Sequence, residues 1–126
     1  MKFAPALFSA AAVLGLAVPA TAEENDFSLT YHVERTPAEK LSIESCGEVL
    51  VSAAEEAGLR VGSQAYPGQL VVVSGGIEGK GAFVAQCIAV DTMTVSVVQG
   101  IDYRQQKCAL GKFADKAFET LKSSAE

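Results

Sequence analysis

The sequence predicts an α+β fold: a two-layer sandwich of order β-α-β-β-β-α, with a four-stranded, mainly antiparallel sheet and two helices on one face. Three observations predict it. Residues 27–35 alternate with period two, and residues 110–121 repeat with helical period. Between them, apolar runs from 70 to 99 are separated by glycine- or aspartate-containing turns, as in a meander.

The first strand sets Phe27, Leu29, Tyr31 and Val33 on one face and Ser28, Thr30, His32 and Glu34 on the other. Such alternation predicts one buried face, assigned here to the apolar set. Thr36-Pro37-Ala38-Glu39 then reads as a helix start, with Thr36 as cap, Pro37 in the first turn and Glu39 completing a capping box. The helix is expected to run to Ala57 and stop at Gly58. Its inward stripe is Ile43, Cys46, Gly47, Leu50, Ala53, Ala54 and Ala57. Small residues, Gly47 above all, predict a close approach to whatever the helix covers. Residues 59–68 read as a connection, and Leu70–Val73 as a strand. The glycine-rich stretch 74–81 reads as a reversal, Ala82–Val90 as a strand, Asp91-Thr92 as a tight turn and Met93–Gln99 as a strand. A polar connection over 100–106 precedes the final helix, whose inward stripe is Leu110, Phe113, Ala114, Ala117, Phe118 and Leu121. If the first two strands are parallel, the helix between them makes a right-handed crossover.

Residues 1–22 have the order of a signal peptide. Lys2 supplies a positive charge, Phe3 to Val18 are apolar or small, and Thr21-Ala22 ends an A-x-A pattern. The remaining residues, 23–126, then form one domain in the periplasm or outside the cell. The run is shorter than the roughly 20 residues that span a bilayer, so no membrane span is expected after cleavage. The 126 residues carry 15 Asp and Glu against 10 Lys and Arg. An acidic chain with scattered arginines lacks the concentrated positive surface that nucleic acid requires.

The three cysteines allow three single pairings. Cys46 on the helix stripe and Cys87, which shares a strand face with Phe83, Ala85 and Ala89, are the first choice. Cys108 falls off the last helix stripe, beside Lys107 and a helix N-terminus, and is the candidate reactive or chain-linking thiol. No C-x-x-C pair occurs. No metal site is expected, because the cysteines are far apart and His32 is the only histidine. His32 is weighed as a proton carrier with Glu34 against an ordinary rim histidine. No G-x-S-x-G elbow gathers a hydrolase site. Gly79-Lys80 departs from the phosphate-loop pattern, with Ser74 and Gly81 where that pattern needs Gly and Ser or Thr. No cofactor is expected.

In organisation the chain resembles small secreted bacterial families of unknown function. The leader, Phe27–Val33 feeding Thr36–Glu39, Ser45-Cys46-Gly47 and the glycine-rich meander carry the resemblance. What it implies is a periplasmic location, with no catalytic residues to carry over. The expectation is an exported binding or accessory module, more a non-enzyme than an enzyme. Its candidate contact surface is an apolar sheet face at Val84, Ile88 and Val90, open to a second subunit or another protein. The competing class is a thiol-dependent redox or stress protein acting through Cys108.

Overall fold

A computed structural model describes residues 26–126. The expected leader lies outside the described residues. Five strands and two helices follow in the order β1 (Ser28–Pro37), α1 (Ile43–Glu56), β2 (Arg60–Tyr66), β3 (Leu70–Ile77), β4 (Gly81–Val90), β5 (Met93–Asp102) and α2 (Ala109–Ser124). The strands form one sheet of order β1-β5-β4-β3-β2, and every neighbouring pair is antiparallel. Both helices lie on the same side. Leu50 of α1 and Phe118 of α2 belong to one core with Val73, Phe83, Ala85 and Val98 of the sheet.

The class is α+β, but the sheet has five strands where four were expected. The segment 59–68, expected as a connection, holds β2. Its Gly62, Ser63 and Gln64 show no apolar period, because β2 is an exposed edge strand whose pairing comes from the β3 backbone. β1 and β2 therefore stand at opposite edges, and the chain crosses the whole sheet through α1 instead of joining two parallel neighbours. β3 and β5 also run further than expected, through Gly75-Gly76 and to Asp102, because ladder pairing with β4 continues there.

The helix start at Thr36-Pro37 is overturned as well. Both residues extend β1, opposite Thr94 and Met93, and the Ala38 amide donates to Thr92 O at 2.8 Å. Pro37 fits there because β1 is an edge strand, where a missing amide costs no ladder bond. Helix α1 begins at Ile43, and its cap is Ser42, whose Oγ accepts from the Ser45 amide at 3.0 Å. The buried Thr94 hydroxyl donates to Leu41 O at 2.7 Å and pins this entry to β5. The other end stops at Gly58, whose φ of +77° suits glycine.

The burial of β1 is inverted. Thr30, His32, Glu34 and Thr36 face the helices, while Leu29, Tyr31 and Val33 lie on the uncovered side, Tyr31 at 62% exposure. Period two defines two faces but does not say which one the helices cover. Val71 and Val73 of β3 lie beneath the helices.

Small residues set the spacing of the layers. A Cβ at Gly47 would stand 2.6 Å from Val71 Cγ1, so α1 rests on β3 by its backbone. Gly47→Ala is therefore expected to lower unfolding free energy by about 1–3 kcal/mol in urea denaturation. Combining it with Val71→Ala should cost less than the sum of the single changes, because the second change removes the clashing methyl.

Candidate functional site

Three places gather chemistry-bearing groups on the covered side. The first is the disulfide. Cys46 of α1 and Cys87 of β4 are joined, with Cα atoms 6.1 Å apart and a separation of 41 positions in sequence. Both are fully buried, and the Ser96 hydroxyl lies 3.5 Å from Cys46 Sγ. The bond ties helix to sheet within the core, away from any open surface.

The second is Asp102, the last residue of β5, at 1% exposure. Its carboxylate accepts from the amides of Cys108, Leu110 and Gly111 at 2.7, 2.9 and 2.9 Å. Cys108 is the cap residue of α2, yet its own side chain makes no cap bond. Asp102 does that work from six residues upstream. Burial pushes its carboxyl up, but the three amides and Arg104 outweigh burial and hold it below the ordinary carboxylate value.

The third is His32. Its ring stacks on Phe118 with centroids 4.5 Å apart and an interplanar angle of 12°. Its partner is Asp115 of α2, with Nε2 2.8 Å from Oδ1, and not Glu34 as weighed from sequence. The same carboxylate accepts from Lys107 Nζ at 2.8 Å. Lys107 and then His32 hold the Asp115 carboxyl below its usual range. Sequence reasoning missed Asp115 because it sits 83 residues from His32.

These contacts bear on Cys108, which is the free cysteine among the described residues. Asp102 takes the Cys108, Leu110 and Gly111 amides at the helix N-terminus, and Asp115 takes Lys107. Three amides of the helix N-terminus and the Lys107 ammonium, expected beside the sulfur, are thus engaged by carboxylates. Gly79-Lys80 forms a hairpin turn leading into β4, with the Lys80 amide donating to Ile77 O at 3.0 Å, and no helix follows to hold a phosphate. Among the described residues, no three His, Cys, Asp or Glu side chains gather as a metal would need.

Between the helices runs a groove of about 650 Å³. Ala53 and Phe113 line it, with Glu48 and Glu56 on the α1 side and Lys112 and Lys116 on the α2 side. The Thr120 and Ser124 hydroxyls beside it donate back to carbonyls of their own helix. The groove is thus apolar between an acidic wall from α1 and a basic wall from α2.

The uncovered sheet face is the distinctive surface. Ladder register puts Val84, Ile88 and Val90 of β4 on it, level with Gln99, Val95 and Met93 of β5. Leu29, Tyr31, Val33, Tyr66 and Val90 are five of the seven large apolar side chains that stand exposed in the described residues, and all five lie here. The register places no Asp or Glu on this face. Its charges are Arg35 and Arg60, on the two edge strands. An apolar expanse across five strands is far more than the single exposed residues normal for a surface. No helix of the described residues is long and apolar enough to cross a membrane.

A family model described as "Family of unknown function (DUF6180)" matches residues 26–126. No curated protein matches the chain in sequence. Among solved structures, the chain is similar to the Mll3558 protein from Rhizobium loti. The identity is 14% and the TM-score 0.37, over 78% of this chain and 96% of that one.

Asp102→Ala leaves three amides without an acceptor, those of Leu110 and Gly111 buried and that of Cys108 partly so, and is expected to cost about 2–4 kcal/mol of stability, read by urea denaturation at pH 7. In the intact protein, the Asp102 and Asp115 carboxyls release their protons at lower pH folded than unfolded. Their contribution is full above the ordinary carboxylate pKa, about 3.9, and is lost as pH falls through the lower folded values. Urea midpoints measured from pH 7 down to pH 3 should therefore fall below about pH 4, and fall less steeply in Asp102→Asn.

Proposed function

We propose, for a chain that belongs to the family of unknown function DUF6180, that it is an exported, non-enzymatic binding module. It acts by protein contact through its uncovered sheet face. The observation that carries this reading is the concentration of five exposed large apolar side chains on one face that bears no carboxylate, in a chain of net charge −5. The chemistry of the face selects an apolar protein surface without a basic patch, since Arg35 and Arg60 would repel one. Val84, Ile88 and Val90 are its central and rim contacts. Export is supported by the leader pattern of residues 1–22 and fits a structural disulfide, which persists in oxidising compartments. The competing thiol reading has less support, because the groups that would activate Cys108 are engaged by Asp102 and Asp115.

The test is site-specific photo-cross-linking in an exporting bacterium. A photoreactive phenylalanine analogue replaces Val84 in one strain and Glu55, on the outer side of α1, in another. The Val84 strain should give a discrete adduct and the Glu55 strain none. The recovered chain should begin at Glu23. Absence of an adduct at Val84 overturns the contact reading, and an intact N-terminus overturns export.

A further inference from the structure

We infer that the occupant of the uncovered face is a second copy of this chain. The two sheets would stack face to face about a two-fold axis that runs parallel to the strands beneath β4. This rests on the reading of the face as a contact surface and names its partner.

The register defines four rows that cross all five strands. At the usual strand and residue spacings they cover roughly 24 by 27 Å, or about 650 Å² in projection. Pleating and side chains raise the accessible area towards the roughly 800 Å² per partner of a stable protein interface. Aligned sheets pack about 10 Å apart through such faces.

A closed dimer also demands self-complementarity. The axis along the strands returns β4 to β4, sends β5 onto β3 and β1 onto β2 of the second copy, and keeps each row at its level. Gln86, at the centre, then meets Gln86 of the second copy, and a side-chain amide both donates and accepts. Ser74 shares its row with Gln99 on the far side of Val84, so the operation sets Ser74 against Gln99. Arg35 and Tyr66 end one row, so the guanidinium comes over the phenol ring. Tyr31 and Gly62 end another, so the most exposed ring meets a residue with no side chain. The other in-plane axis, across the strands, inverts the rows about Gln86. It would set Ser74 on Leu70 and Gln99 on Val95, polar against apolar. The first axis also sets Leu29 on Arg60 and Val33 on Gln64 at the edges, and Gln86 meets its counterpart about either axis, so the choice of the first axis rests on the Ser74–Gln99 pairing beside Val84.

The test is sedimentation and thiol cross-linking of the full chain carrying Cys108→Ser, so that Cys108 cannot link copies. The protein should sediment at twice its chain mass at tens of micromolar. Val84→Cys, on the axis, should be joined to its counterpart by a short bis-maleimide. Val72→Cys, whose counterpart lies two strands away, should link at least tenfold more slowly. Gln86→Glu places two carboxylates together on the axis and should weaken association more than tenfold at pH 7 with an unchanged circular dichroism spectrum. Sedimentation at the mass of one chain overturns the inference, as does a dimer in which Val72→Cys links faster than Val84→Cys. A photo-adduct at Val84 of a mass other than two chains also overturns it, while leaving the contact reading standing.

Discussion

Two helices can cover only one face of a five-stranded sheet, and most features of this protein follow from that constraint. Every fully buried side chain, the disulfide and the Asp102 hub lie on the helix side. The small residues of α1, Gly47 above all, bring its backbone down to β3. The opposite face is left open by both helices of the described residues, yet it carries many apolar side chains around a few polar ones such as Gln86 and Gln99. An apolar face that the described helices leave open gives the molecule a surface with a distinctive character.

The covered side is held by directed contacts as well as by packing. Asp102 gathers three amides of α2 at the end of β5 and so fixes where that helix begins and at what height it crosses the sheet. Asp115, two turns on, reaches the opposite way to His32 on β1. The helix is thereby fastened to two neighbouring strands through carboxylates. Burial of a carboxylate is costly, and here it is offset because all its oxygens face donors. A polar network of this kind resists sliding of α2 along the sheet, which a layer held only by Leu110, Phe113 and Phe118 would not.

How much was legible depended on the range of the interactions. The final helix could be read because its period is local. The turn at Asp91 and the stop at Gly58 were readable for the same reason. Cys46 and Cys87 could be paired by faces, since each belonged to an element with a clear period. β2 could not be read, because Gly62, Ser63 and Gln64 take their strand form from β3. Thr36-Pro37-Ala38-Glu39 carried a good capping pattern that lost to the ladder with β5, leaving Ser42 to cap. The alternation in β1 was visible, but its apolar side proved to be the uncovered one. The pairing of His32 with Asp115 had no local signal at all. Val84, Ile88 and Val90 were correctly grouped on one face, because a strand of ten residues shows its alternation plainly.

The sheet order carries a consequence for how the chain reaches its final form. β1 is the earliest strand in the sequence, and its neighbour β5 is the last. Ser28 pairs with Asp102, so this ladder joins residues 74 positions apart. During synthesis from the amino end, β1 has no partner until residues 93–102 have emerged, and α2 has no cap until Asp102 is in place. The hairpins from β2 to β5 can assemble beforehand, each from adjacent segments. The opening strand therefore waits for nearly the whole polypeptide and is the last piece laid into the sheet. Closure of the sheet at this edge therefore requires residues 93–102, late in the chain.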